Sequence, residues 1–304
     1  MLQRCKKRNV LVDGVLSCGY AALSIIVIMI ILGTDEAGYG PNLGPLVVSL
    51  TTWDANTDDL SLLFEPLKTA GISIGDSKKL YRGGSLVPLE VGVLAPLLSL
   101  KKNLLPTVND AEKINRLVPK FEAILRQNNV RLLDMQYRSI EAEEFNRLLN
   151  QFNSKGTLLS NTTLRLIADS LTNFTQDNVV VLCDKHGGRN RYLDILTQFF
   201  PGEFIQTVRE DRECSVYRLI TGCRHWEFRF LARGETHLPI ALASMLSKYQ
   251  RELAMLQFNA FWQIHVPDLQ PTAGYPEDAK RFKQQIAAAQ QRLGIAEESL
   301  WRQR

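Results

Sequence analysis

The chain has 304 residues, 45% of them hydrophobic and 22% charged, with a net charge of +4. This is the composition of a globular protein long enough for one large α/β domain with an appendage, and it excludes a disordered, fibrous or repeat architecture. The mild positive charge permits a polyanionic partner without requiring one; five cysteines, with neither a C-x-x-C pair nor Cys/His zinc spacing, speak against a disulfide framework or structural zinc and point to a reducing, cytoplasmic compartment.

Residues 1–34 carry a conflict. Arg4, Lys6, Lys7 and Arg8 precede an uncharged run over 14–34, which by length resembles a signal anchor. Its last third, however, reads as a strand of the fold, and a strand paired in a soluble sheet cannot also be threaded through lipid. Met29 opens that strand, so residues 1–28 are expected to be an extension outside the fold, with membrane contact through residues 10–28 the less favoured alternative. The runs 25–32 and 46–52, apolar and rich in β-branched residues, predict two core strands enclosing Gly33 to Pro45. Asp35 and Glu36 emerge where the first strand ends, at a sheet rim where charge can be solvated or can hold a metal.

The spacing Gly38-x-Gly40-x-x-x-Gly44 looks superficially like a phosphate-cradling loop. A dinucleotide turn must open a helix, whereas Pro41 and Pro45 flank Gly44 and a second strand follows, so the pattern is strand, tight turn, strand. Gly38 and Gly40 either serve the turn or let backbone N–H groups approach a bulky anion such as a sugar-phosphate.

Residues 54–65 read as polar and irregular. At Asp76-Ser77-Lys78-Lys79 an Asp-Ser cap places two ammonium groups near a helix start, poorly matched to the dipole; they are held for an external anion or form a solvated pair. Residues 81–108 give no clear element. Helical spacing predicts helices over 111–127, 142–152 and 162–171, with a strand over 132–140. Residues 179–184 repeat the first strand's theme, an apolar run consistent with burial on both faces and ending in an acid, Asp184. Asp184 then either joins a site at the same rim or caps a helix over 192–200. Strands are predicted at 204–208, 215–219 and 226–231.

Glu235 is the third acidic element. It leads into a helix over 240–258 whose small residues Ala241, Ala243, Ser244 and Ser247 suit close packing on a sheet, with Lys248 and Arg251 on a neighbouring face. A last helix is predicted over 276–293. The chain thus divides into an extension (1–28), a catalytic domain (29–258) and a C-terminal helical region (259–304).

Asp35, Glu36, Asp184 and Glu235 are far apart in sequence, yet three of the four fall at strand ends. Four carboxylates converging without cations would repel one another. Oxygen ligands without histidine or thiolate favour Mg²⁺ or Mn²⁺, and such a cluster with Lys and Arg around it suits two-metal phosphodiester hydrolysis. No organic cofactor is implied.

Five separated motifs, Asp35-Glu36-Ala37-Gly38-x-Gly40-Pro41 with Gly44-Pro45, Asp76-Ser77-Lys78-Lys79-Leu80, the strand ending in Asp184, Ala243-Ser244-Met245-Leu246-Ser247-Lys248 and Gly274-Tyr275-Pro276, stand in the order seen in type 2 ribonucleases H. Over roughly residues 29–280 the chain resembles that family (ribonuclease HII and HIII). The resemblance implies a ribonuclease H-like α/β fold, a mixed sheet flanked by helices with a C-terminal helical appendage. It also implies endonucleolytic cleavage of the RNA strand in RNA–DNA hybrids or ribonucleotide-containing duplexes, by a cytoplasmic monomer. Carried over by position, Asp35, Glu36, Asp184 and Glu235 would be catalytic metal ligands. Gly38, Tyr39 and Gly40 would form the substrate loop near the ribose 2′-hydroxyl, Tyr275 would stack on a sugar, and Lys78, Lys79 and Lys248 would hold phosphates. There are departures. Tyr39 stands where the family's loop usually has arginine. Glu235 follows the HIII branch, although the stretch before Asp35 is too short for the extra HIII substrate-binding domain, and 81–108 and 204–231 read as unmatched insertions. The alternative is a non-catalytic nucleic-acid binder of the same fold. A third, membrane-anchored reading rests on residues 10–28 alone.

Overall fold

The computed structural model describes residues 29–81, 84–102, 111–175, 177–221 and 224–303. The expectations for residues 1–28 fall outside these. In chain order the elements are β1 (Met29–Ala37), β2 (Leu46–Ala55), α1 (Phe64–Thr69), α2 (Ser77–Leu80), α3 (Val87–Ser99), α4 (Ala111–Gln127), β3 (Arg131–Ile140), α5 (Ala142–Phe152) and α6 (Lys155–Leu171). Then follow β4 (Asn178–Asp184), α7 (Leu193–Phe199), β5 (Ile205–Glu210), β6 (Cys214–Thr221), β7 (Arg224–Leu231), α8 (Leu238–His265) and α9 (Pro276–Leu293). Among the described residues no helix is long and apolar enough to cross a membrane.

One seven-stranded mixed sheet runs in the order β3-β2-β1-β4-β7-β6-β5. β1 pairs antiparallel with β2 across the turn, as the proline-flanked glycines require, and parallel with β4, which in turn pairs parallel with β7. The central strands are buried on both faces, which is why their sequences are unbroken apolar runs. Ile31, Val180 and Leu182 face a core shared with α3, α4 and α8, while Ile30, Leu32, Val179, Val181 and Cys183 face one shared with α6 and α7. A smaller core of Leu43, Trp262, Phe282 and Ile286 fastens α9 to the end of α8. Helix α8 runs through the expected boundary at 258/259 without a break.

Three expectations are corrected. Asp54 is not in an irregular segment but is buried in β2, paired with Arg131. Residues 81–108 hold α3, buried nearly all round, so no amphipathic period marks it. Helix α6 begins at Lys155 behind the Ser154 cap, a turn and more before the expected start, because Leu158 and Leu159 continue its buried face. Within 204–231, β7 lies in the sheet beside β4, and β6 and β5 continue the sheet outward from it.

β1 and α8 meet at close range. A Cβ on Gly33 would overlap the backbone of Pro239, whose carbonyl also accepts a hydrogen bond from Thr51 Oγ1 at 2.8 Å. Gly33→Ala is therefore expected to push α8 off the sheet and cost about 1–3 kcal/mol, the usual price of overpacking. Urea unfolding checks this; an unshifted midpoint would refute it.

Candidate active site

Parallel neighbours end at the same edge, so the register Thr34↔Cys183 sets Asp35 beside Asp184, and the register Asp184↔Leu231 puts the turn after β7 next to both. Ligand sites of open α/β sheets form at such carboxyl ends. Here a cavity of about 330 Å³ is lined by Asp35, Glu36, Asp184 and Glu235. Gly38, Tyr39, Gly40, Lys78, Lys248 and Tyr275 line it too. Lys79 does not: its side chain is 72% exposed and pairs with Asp76 at 3.3 Å, so the expected phosphate contact is not supported by its position.

Asp35 and Asp184 are each held by local hydrogen bonds. Ser247 Oγ donates to the Asp35 carbonyl at 3.0 Å, and the Glu36 N–H donates to Asp35 Oδ1 at 2.7 Å. Asp184 Oδ1 accepts from the Gly234 N–H at 3.0 Å, in the single 3₁₀ turn that carries Glu235. Asp184 does not cap α7, whose N-terminal residue Tyr192 makes no side-chain cap. His186, two residues on, is buried with Nδ1 2.9 Å from Ser160 Oγ, and burial lowers its pKa to about 3, so it stays neutral.

The acids are short of positive charge. Burial, reinforced by the charge of Asp184, pushes the Asp35 pKa up to about 7 against the opposing pull of Ser244, the Glu36 N–H and Lys78. Burial and then the charges of Asp35 and Asp184 lift Glu36 well above the carboxylate range, and its carboxyl hydrogen-bonds that of Asp35. Burial also raises Asp184, helped by Glu235. Among the described residues no three acids, histidines or cysteines are arranged to hold a metal ion. The four acids meet as the lining of one shared cavity. The donors themselves fit a hard divalent ion: all are oxygens, and burial with mutual repulsion makes the charged forms of Asp35, Glu36 and Asp184 costly until a cation joins them.

The cations are partly spent inside the protein. Lys248 Nζ donates to Glu252 at 2.7 Å and stands 4.3 Å from the centre of the Tyr81 ring. Burial pushes Glu252 up, yet the bonds and charges of Lys248 and Arg251 hold its pKa below the ordinary value. Arg251 is buried, donates to Glu252 at 2.9 Å and to the Ala273 carbonyl at 2.8 Å, and lies 6.0 Å from the Tyr275 ring centre. Tyr39 packs on the loop after β4: a Cβ on Gly187 would come within 2.7 Å of its hydroxyl. Ser244 was legible in the small-residue face and in the motif from Ala243 to Lys248 without a role of its own, whereas Glu252 and Tyr81 had no local signal.

Neither a family model nor a curated protein matches this chain. In solved structures it is similar to the PCNA:RNase HII complex from Archaeoglobus fulgidus, at 16% identity and a TM-score of 0.46 over 90% of this chain and 94% of that one. It is similar to ribonuclease H2 from Pyrococcus horikoshii OT3, at 15% identity and a TM-score of 0.44 over 90% and 92%. Bst-RNase HIII in complex with Mn²⁺ gives 17% and 0.44 over 90% and 66%.

In metal-free protein Asp35 has a folded pKa of about 7 against an ordinary value of 3.8, so between these pH values the folded state carries a proton that the unfolded chain has released. Stability must then fall as pH rises through that window, and the raised Glu36 and Asp184 act in the same direction. Thermal midpoints in chelator should decline from pH 4 to pH 7, less so in Asp35→Asn. A midpoint that climbs over this range would contradict the assignment.

Proposed function

We propose that this chain is a divergent type 2 ribonuclease H, a divalent-metal-dependent endonuclease that cuts the RNA strand of RNA–DNA hybrids or ribonucleotide-containing duplexes. The observation that carries the proposal is the meeting of Asp35, Glu36, Asp184 and Glu235 on one cavity with a glycine loop and a cationic, aromatic wall. Mg²⁺ or Mn²⁺ bound by these carboxylates would supply an activated water and stabilise the leaving oxygen. Lys78, on the cavity lining with its charge reaching both Asp35 and Asp184, would hold a phosphate of the substrate. Tyr275, 53% exposed, offers its ring to a sugar, backed by the Arg251 guanidinium. Lys248, balanced by Glu252, contributes through the net charge of the Lys248–Arg251–Glu252 cluster rather than as a free ammonium.

The two loop glycines differ. Gly38 has φ +86° and a Cβ there would overlap the Pro45 carbonyl, so it is needed by the fold. Gly40 meets no atom within 4 Å, so packing does not demand glycine there and close approach of substrate does. Gly38→Ala should therefore lower the thermal midpoint, whereas Gly40→Ala should keep it and weaken hybrid binding. Equal behaviour of the two variants in both measurements would contradict this division.

A second reading, a non-catalytic binder of the same fold, draws on the substrate loop, where Tyr39 stands in place of the arginine usual in the resembled family and packs on Gly187. Assays of hybrid, duplex RNA and single-ribonucleotide duplex with and without Mg²⁺ or Mn²⁺ separate the two. Asp35→Asn and Asp184→Asn should abolish cleavage while hybrid affinity stays or rises, since a negative charge facing phosphates is removed. Wild-type protein that binds hybrid but cuts none of the three substrates would establish the binder.

A further inference from the structure

Behind the substrate loop lies a side chain that the functional reading leaves unused. Arg302, 0% exposed, donates from Nη2 to the carbonyl oxygens of Gly38, at 2.6 Å, and of Pro41. The segment carrying it is stitched to both the loop and α5. The Arg302 N–H donates to the Asn42 carbonyl at 2.9 Å, and Asn42 Nδ2 returns a bond to the Arg302 carbonyl at 3.3 Å. Asn146 donates to the carbonyls of Glu298 at 3.1 Å and Trp301 at 2.8 Å, and accepts from the Gln303 N–H at 2.8 Å.

This arrangement is costly. Among the described residues Arg302 has no carboxylate within ion-pair distance, and its Nε and Nη1 have no partner. Burial, with the nearby charge of Arg251, lowers its pKa to about 9. Stacking over Phe145, 4.6 Å from the ring centre, recovers part of the loss. An apolar side chain of similar size would fill the space at less expense, so packing alone does not account for a guanidinium here.

Its geometry supplies another account. In a trans peptide the N–H points opposite to the C=O, and the described chain has no cis bond. Turning the Pro41 carbonyl onto Arg302 aims the Asn42 N–H away, where it reaches the Gly274 carbonyl at 2.8 Å. Turning the Gly38 carbonyl onto the same nitrogen aims the Tyr39 N–H away in the same manner, and among the described residues neither Tyr39 nor Gly40 has a backbone partner for its N–H. Gly38 to Pro41 line the cavity. We infer that Arg302 is a positioning residue that locks the Gly38 and Pro41 peptide planes so that the loop presents the Tyr39 N–H to a hydroxyl of the substrate sugar. It thereby sets discrimination between RNA and DNA strands. This inference rests on the loop being the part that meets the ribose.

The test compares wild type, Arg302→Met and the conservative Arg302→Lys in chelator, where nothing is cut. Affinities for an RNA–DNA hybrid and for the DNA duplex of the same sequence are measured with the amide exchange rate of Asn42, whose N–H is buried on the Gly274 carbonyl at 2.8 Å. Loss of one oriented donor should lower the hybrid-over-DNA preference of Arg302→Met about tenfold while DNA affinity holds. Arg302→Lys, able to reach one carbonyl, should recover part of it, and Asn42 exchange should quicken in both variants while β1 amides stay protected. Should Arg302→Met not fold, Arg302→Lys carries the comparison. Parallel loss of both affinities, or Asn42 exchange unchanged in Arg302→Lys, overturns the inference. A wild type with no preference for hybrid overturns the ribonuclease reading instead, and the Asn42 exchange still reports on the clamp.

Discussion

Helix α8 touches β1 backbone to backbone, and the placement of the acids depends on that contact. Gly33 removes the side chain that would hold Pro239 away, Thr51 ties down the Pro239 carbonyl at 2.8 Å, and Trp53 Nε1 in turn secures Thr51 at 2.9 Å. Two turns further along α8, Ser247 bonds the Asp35 carbonyl and Ser49 Oγ, at 3.0 and 2.7 Å. The 3₁₀ turn with Glu235 leads directly into α8, so docking the helix also delivers the fourth acid to the rim. A bulkier residue at 33 would disturb the core and the cavity together.

Against that rigid frame the carboxylates are left electrostatically unfinished. Three of them are pushed up by burial and by one another, and hydrogen bonds from Ser244 and from the Glu36 and Gly234 backbone do not offset this. A protein selected only for stability would replace such a group with neutral side chains. Retaining it makes sense where a hard cation supplies the missing charge, and that is the physical link between the sheet register and the proposed chemistry.

The opposite side of the cavity is organised by cations that are not free. Glu252 gathers Lys248, Arg251 and Tyr81 within 2.9 Å, so the wall keeps a net positive charge while its side chains are held in fixed positions. Arg251 and Arg302 both press on Gly38, one against the Cα and one on the carbonyl, which leaves little freedom to the loop between β1 and β2. The β-hairpin and the distant segment 297–303 are therefore one structural unit at the site.

The sequence alone determined the features that depend on neighbours a few residues away. Unbroken apolar runs marked β1, β2 and β4, and helical spacing marked α4, α5 and α9 with their observed bounds, because burial on a sheet or helix face repeats with a short period. Prolines beside Gly44 excluded a nucleotide-binding turn, and acids ending two apolar runs identified the rim of the sheet. Only the tertiary structure decided what depends on distant partners. It assigned β7 to the sheet beside β4, buried α3 so evenly that no period survived, and seated Tyr39 on Gly187. It also paired Lys248 with Glu252 and set Arg302 against a loop 264 positions earlier. A contact of that kind leaves no pattern along the chain, since its energy comes from desolvation and hydrogen-bond geometry that exist only once the two segments have been brought together.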